Sequence, residues 1–183
     1  RDFIISQIDG FCDWKTDNLG NIIAFKKGKK TPAKRVMLDA HMDEVGLIIT
    51  SVTAEGFLKF ATVGGIDVSA LMFRTVKING KTNGVVCGKP IHLLSSDERK
   101  KLPKEDALYI DIGANNKEEA LGFISVGDRA VICGEYRKCG KTILSKAIDD
   151  RAGCAILIEL LRRESEYDFY TSFSVQEEVG LRG

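Results

Sequence analysis

The stretch from Val45 to Cys133 restricts the possible folds most, because it is a series of short β-rich runs interrupted by glycine. These runs read GLIITSV, GFLKFATV, MFRTVKI, GVVCG, ALYIDIG and RAVICG. Strands that are this short and this closely spaced are typical of small barrels and sandwiches. The sequence therefore predicts a compact, barrel-like β domain over residues 45–133.

The two flanking segments have a different pattern, in which helical and strand-like stretches alternate. They predict one α/β domain in two parts, residues 1–44 and 134–183, into which the β-rich domain is inserted. The predicted elements of this α/β domain are strands at 11–15, 22–25, 35–40 and 168–175, a helix at 149–163, and the tail of another helix at 2–8. Because the chain opens inside that helix tail and closes directly after a dense motif, we expect it to be part of a larger protein.

Charge and cysteine content narrow the class of protein. Lys and Arg number 27 against 26 Asp and Glu, so there is no electrostatic reason to expect nucleic acid or a membrane surface as a partner. No apolar run approaches the ~20 residues that a membrane span needs. The five cysteines are scattered and form no C-x-x-C pair, which favours free thiols in a reducing, cytoplasmic environment.

Three motifs carry candidate chemistry. The motif AHMDEVG (residues 40–46) comes at the end of one predicted strand, and the motif VQEEVG (residues 175–180) comes at the end of another. The motif AIDDRAG (residues 147–153) lies at the start of the predicted helix. In open α/β sheets, ligands bind beyond the carboxyl ends of the strands. We therefore expect the acidic residues and the histidine of these motifs to meet at one edge of the sheet.

The residue types suit a metal centre. His41 and Asp43 are two residues apart, so on extended backbone they face the same side, where Asp43 can hold the second ring nitrogen of His41. Asp149 has two oxygens with which to bridge two cations. Glu177 and Glu178 are adjacent and point differently, so one can bind metal while the other handles protons.

Each of these residues also has a purely structural explanation when it is taken alone. A single histidine after a strand is commonly a packing residue, an aspartate at a helix start is commonly an N-cap, and adjacent glutamates are commonly a solvated face. His92, within the β-rich segment, is interpreted as structural, and Asp150 and Arg151 are assigned no direct chemistry. The conjunction of the three motifs is what favours a site.

In this order, AHMDEVG, AIDDRAG and QEEVGLRG resemble the tetrahedral-complex metallo-aminopeptidases, which include the glutamyl, leucyl and deblocking aminopeptidases related to FrvX-type proteins. The TDNLGN turn and the stretches GGIDVSAL and YIDIGANNKEEA extend the resemblance along the chain. The resemblance implies a partial phosphorylase/hydrolase-like catalytic domain and identifies the β insertion as a dimerisation domain. It also implies dimers that assemble into dodecamers.

The resemblance assigns roles to five residues. It implies two divalent ions, zinc or cobalt, with His41 as a ligand of one, Glu178 as a ligand of the other, and Asp149 as the bridge. Glu177 resembles the general base, and Asp43 resembles the catalytic aspartate that orients the His41 ring. The implied activity is hydrolysis of N-terminal residues from peptides through a dinuclear metal-activated water.

The ligand set of that family is incomplete in these residues. The family supplies one further Asp and one further His from later in the chain, whereas this sequence contains only His41 and His92. We therefore expect the 183-residue chain to be inactive as a peptidase by itself.

Two other functions stay open. One is a glucanase-type glycosidase, which needs two carboxylic groups that flank the bond but no dinuclear metal, so the set of His41, Asp149 and Glu178 argues against it. The other is a non-catalytic assembly module, in which the β insertion mediates association and the site is vestigial. The presence of both Glu177 and Glu178 argues against such decay.

Overall fold

A computed structural model describes residues 1–183, with the exception of the Glu98 side chain. The chain forms two compact units. The first unit consists of Arg1–Glu44 and Ala147–Gly183, and the second consists of Val45–Lys146. In the part of the chain that the structure describes, no helix is long and apolar enough to cross a membrane.

Helices and short strands alternate at both ends of the chain, while strands dominate its middle. In chain order the elements are α1 (Asp2–Ile8), β1 (Asp13–Thr16), β2 (Ile22–Lys26), β3 (Met37–His41), β4 (Gly46–Val52), β5 (Leu58–Val63), β6 (Thr75–Ile78), β7 (Thr82–Gly88), β8 (Leu108–Asp111), α2 (Lys117–Phe123), β9 (Arg129–Ile132), β10 (Arg137–Cys139), β11 (Thr142–Leu144), α3 (Ile148–Arg162) and β12 (Phe169–Ser174). The strands and the long helix predicted in the flanking segments are thereby confirmed, with ends that move by one or two residues.

The first unit is built on a four-stranded sheet with the strand order β1-β2-β12-β3. Strand β12 is antiparallel to β2 and parallel to β3, so the last two strands end at the same edge. One face of the sheet packs with α1 and α3 around a buried apolar core. The core residues are Ile4, Ile8, Ile22, Ala24, Ala40, Cys154, Leu157, Leu161 and Phe173.

The second unit is a closed barrel with the strand order β4-β5-β8-β7-β6-β9, which confirms the barrel expected from the glycine-punctuated runs. Its interior is filled by aliphatic side chains and one phenylalanine, including Leu47, Ile49, Leu58, Phe60 and Ile110. Closure leaves the barrel without free strand edges, which suits strands of only four to seven residues.

The division of the chain differs from the predicted limit at Cys133, because Gly134–Lys146 groups with the second unit. This segment contains the hairpin of β10 and β11, whose residues Arg137 and Leu144 line a groove together with Arg74 and Thr75 next to the barrel. Each strand of the hairpin has three residues, which is too short for an alternating pattern to be recognised in the sequence.

Truncating the core of the first unit should destabilise that unit selectively. Phe173 is fully buried, so Phe173→Ala should lower the free energy of unfolding by about 3–5 kcal/mol. The chain's one tryptophan, Trp14, lies in β1, so its fluorescence during urea unfolding reports on the first unit. Phe3→Ala, in the same unit at a side chain that is 70% exposed, is the matched control and should shift the midpoint little. Equal shifts for both variants would contradict this core.

Candidate metal centre

The site begins with the register of two parallel strands. Ser174, the last residue of β12, lies opposite His41, the last residue of β3. The backbone N–H of Met42 donates to the Ser174 carbonyl at 2.7 Å and continues the pairing by one residue. The segments that follow these strands, with the motifs at 40–46 and 175–180, therefore start at the same edge of the sheet, as the strand-end rule predicts.

Asp43 ties the two segments together. Its Oδ1 accepts the backbone N–H of Glu177 at 3.2 Å, and its Oδ2 accepts the backbone N–H of Glu178 at 3.1 Å. The turn that presents these N–H groups passes through Gln176, which has a left-handed φ of 60°. These two hydrogen bonds hold the backbone of both glutamates and thereby fix the positions of their Cα atoms relative to β3.

Asp149 enters from the start of α3. The helix begins irregularly, with a left-handed Ala147 and with non-helical backbone angles at Asp149 and Asp150. The Oδ1 of Asp150 accepts the N–H of Gly153 at 3.0 Å and so caps the regular helix. The capping role is therefore filled by Asp150, and Asp149 places its Oδ1 3.2 Å from the His41 Nε2.

These contacts gather the predicted residues around one imidazole. The Glu177 Oε2 lies 3.8 Å from the His41 Nε2, and ligand atoms of His41, Glu177 and Glu178 all lie within 4.8 Å of one another. Among the described residues, this is the one group of three or more such side chains with that spacing. His92 lies in the exposed turn Ile91–Leu93 of the second unit.

The expected hydrogen bond between Asp43 and His41 is not formed. The His41 Nδ1 and the Asp43 Oδ1 are 3.6 Å apart, and within the described part of the chain the buried Nδ1 has no hydrogen-bond partner. Asp43 instead uses its oxygens for the two N–H groups of Glu177 and Glu178. Its position beside the ring is as predicted, while the orienting role stays a prediction.

The electrostatics of the cluster favour a cation. Burial acts to lower the pKa of His41, but Asp149, Glu177 and Asp43 act against it and raise the pKa above its ordinary value. Burial raises the pKa of Glu178, and the neighbouring Glu177 carboxylate adds to that rise. An imidazole nitrogen surrounded by carboxylate oxygens is a donor set that zinc and cobalt accept, so these residues fit a divalent metal ion.

Two supporting residues were not predicted to take part in the site. Asn21 accepts the backbone N–H of Val175 through its Oδ1 at 2.8 Å, directly before the turn that carries the glutamates. The thiol of Cys154 donates to the His41 carbonyl at 3.3 Å and connects α3 to β3 below the site. The TDNLGN turn contains the signal for Asn21, while nothing in the sequence marks Cys154 beyond its apolar helix face.

The comparisons with known proteins place this chain in a family. Residues 20–183 match the family model described as M42 glutamyl aminopeptidase. The chain belongs to this family, which confirms the resemblance drawn from its motifs.

Relatives and solved structures extend the likeness. A putative aminopeptidase of Acetivibrio thermocellus is 41% identical over 186 residues, which cover 100% of this chain and 54% of the relative. The TET1 peptidase of Pyrococcus horikoshii, whose structure assembles into a tetrahedron or a large octahedral shell, matches with a TM-score of 0.84 at 37% identity, over 98% of this chain and 56% of that one. An endoglucanase of Thermotoga maritima matches with a TM-score of 0.80 at 35% identity, over 96% and 53%. The chain thus spans about half the length of the proteins it matches.

The contact below the site should protect Cys154 from alkylation. Burial raises the pKa of its thiol to about 11, and the residue is 4% exposed. At pH 8, iodoacetamide should therefore label Cys154 at least ~10²-fold more slowly than the exposed Cys133 and Cys139, as measured by peptide mass spectrometry. The difference should vanish in denaturant. Rapid labelling of Cys154 in the folded chain would contradict the packing of α3 against β3.

Proposed function

We propose that the protein is a metal-dependent aminopeptidase that hydrolyses N-terminal residues from peptides. The observation that carries this proposal is the convergence of His41, Glu177 and Glu178 within 4.8 Å of one another, with Asp149 in contact with His41. Membership of the M42 family supports a peptidase rather than another metal-dependent hydrolase.

Two divalent ions, zinc or cobalt, would be held by this cluster. His41 and Asp149 would hold one ion through the Nε2 that faces the Asp149 carboxylate. Glu178, which lies within ligand spacing of His41, would hold the other ion together with Asp149. When bound, such ions lower the pKa of a water molecule and polarise the carbonyl group that it attacks. Asp149 suits the bridging position because its carboxylate has two oxygens and is not used to cap α3.

Glu177 would act as the general base. Its side chain is 35% exposed, so it can reach a substrate, while its backbone N–H is fixed by Asp43. The carboxylate takes a proton from the attacking water and returns one to the leaving amine. Asp43 would support both metal binding by His41 and proton transfer by Glu177, because it lies beside the His41 ring and holds the turn that carries Glu177.

The two units would have separate roles. We assign the first unit to a phosphorylase/hydrolase-like catalytic domain and the β-rich unit to dimerisation, with dimers that build a larger shell such as a dodecamer. The assembly of the Pyrococcus horikoshii peptidase into a tetrahedron or an octahedral shell supports the larger assembly in this proposal. The free cysteines of the chain support a cytoplasmic location, where thiols stay reduced.

A glycosidase is the competing function, and the endoglucanase of Thermotoga maritima among the similar structures is the observation in its favour. Two carboxyl groups suffice for glycoside hydrolysis, whereas here a histidine stands at the centre of the carboxylates. The two functions are separated by chelation. Peptide cleavage that a chelator abolishes, without cleavage of glucans, supports the aminopeptidase, and chelator-resistant glucan cleavage would overturn it.

Replacing the proposed base should remove turnover and spare metal. In a protein of the full length of the relatives, Glu177→Gln keeps the size of the side chain but cannot accept the proton, so kcat should fall by at least ~10²-fold. Bound metal, measured by elemental analysis after dialysis, should be unchanged. Glu164→Gln, at a side chain that is 90% exposed, is the matched control and should keep full activity. Near-normal turnover of Glu177→Gln would remove Glu177 from this role.

The 183-residue chain provides a second arm of the same assay. Zinc and cobalt in hydrolases generally take about three protein ligands and a water, whereas the present residues offer two to each ion. We therefore expect the chain by itself to hold metal weakly and to leave an aminoacyl-anilide uncleaved. Two tightly held ions with rapid cleavage by a preparation of verified length would contradict this ligand assignment.

A further inference from the structure

The turn between β1 and β2 is organised by one carboxylate. The Oδ1 of Asp17 accepts the backbone N–H groups of Leu19, Gly20 and Asn21 at 2.9, 2.9 and 3.0 Å. Gly20 adopts a φ of 102°, a conformation that favours glycine. The turn therefore ends with Asn21 in a defined position at the start of β2.

Asn21 connects this turn to the site. Its side-chain amide donates from Nδ2 to the second Asp17 oxygen at 2.8 Å, and its Oδ1 accepts the N–H of Val175 at 2.8 Å. Only one orientation of the amide satisfies both bonds, since a carboxylate accepts and a backbone N–H donates. The residue is 5% exposed, so a lost bond here would not be replaced readily by water.

The hydrogen bond from Val175 to Asn21 matters because Val175 lies at the start of the turn that carries the two glutamates. Val175 follows the last residue of β12, and the N–H groups of Glu177 and Glu178 two and three residues later are held by Asp43. Side chains from two separate segments thus hold three of the backbone N–H groups in the turn that carries both glutamates.

We infer that Asp17 and Asn21 form a positioning pair, which holds the backbone of the glutamate turn so that Glu177 and Glu178 lie beside His41. The functional value of this pair rests on the proposed function, but the hydrogen bonds that define the pair do not depend on bound metal. The hydrogen bonds of Asp17 and Asn21 described above include no proposed metal ligand, so the pair acts through Val175.

The chemistry of the pair requires one charged and one neutral partner. The hydrogen bond from the Asn21 amide lowers the pKa of Asp17, which keeps the carboxylate ionised. In Asn21→Asp, two carboxylates would face each other across the 2.8 Å contact, and their repulsion would push the new side chain away from Val175. In the double variant Asp17→Asn with Asn21→Asp, the donor and the charge exchange places, so every bond can form again.

Hydrogen exchange tests the inference on the 183-residue chain, with a chelator present. In Asn21→Asp, the amides of Val175, Glu177 and Glu178 should exchange about tenfold faster than in the parent chain. The double variant should return to the parent rates. Asn116→Asp is the matched control, because the N-cap acceptor of α2 is retained there, and it should leave these amides unchanged.

The rescue separates positioning from general destabilisation. Faster exchange at the turn, with unchanged exchange in the centre of β12 and recovery in the double variant, supports the pair. Parent-like exchange in Asn21→Asp, or a double variant as fast as the single one, overturns it. Because no metal is present, failure of this test leaves the proposed function standing, and loss of peptidase activity leaves the pair standing.

Discussion

The carboxylate of Asp43, which accepts the N–H groups of Glu177 and Glu178, is the contact on which the site depends most. Strands β3 and β12 are far apart in the chain, and their parallel register alone only brings their ends to one level. The two hydrogen bonds then decide the direction in which the chain leaves β12. Without them, two backbone donors near the sheet edge would lose their partners, and the glutamates would no longer be directed toward His41.

The arrangement of acidic side chains around His41 is itself informative about function. Carboxylates of Asp43, Asp149 and Glu177 lie within 3.2–3.8 Å of the nitrogens of one His41 ring, and Glu178 lies within 4.8 Å of ligand atoms of His41 and Glu177. Burial raises the pKa of Glu178, and the Glu177 carboxylate beside it adds to that rise. A bound divalent cation would offset the repulsion between Glu177 and Glu178, which is consistent with a metal centre at this edge of the sheet.

Sequence reasoning anticipated the meeting of His41 with Glu177 and Glu178, because their motifs follow the carboxyl ends of two parallel strands. It added Asp149 because α3 was expected to begin at the same edge of the sheet. It did not anticipate the bonds of Asp43, because spacing tells which side a residue faces but not which backbone donor lies there. The position of the Glu177 and Glu178 N–H groups depends on the left-handed backbone of Gln176. A left-handed conformation at a residue other than glycine cannot be recognised from the sequence. Likewise, two adjacent aspartates do not reveal that Asp150 caps α3 and leaves Asp149 to the site.

The central claim is that this sheet edge is a metal centre, and anomalous X-ray diffraction tests it most directly. Crystals of a protein with the relatives' full length would be grown with cobalt and measured at its absorption edge. The account predicts anomalous peaks about 2.0–2.2 Å from the His41 Nε2 and from carboxylate oxygens of Asp149 and Glu178. The absence of any peak at these atoms in cobalt-loaded crystals, or ordered cobalt bound only elsewhere on the protein, would contradict it.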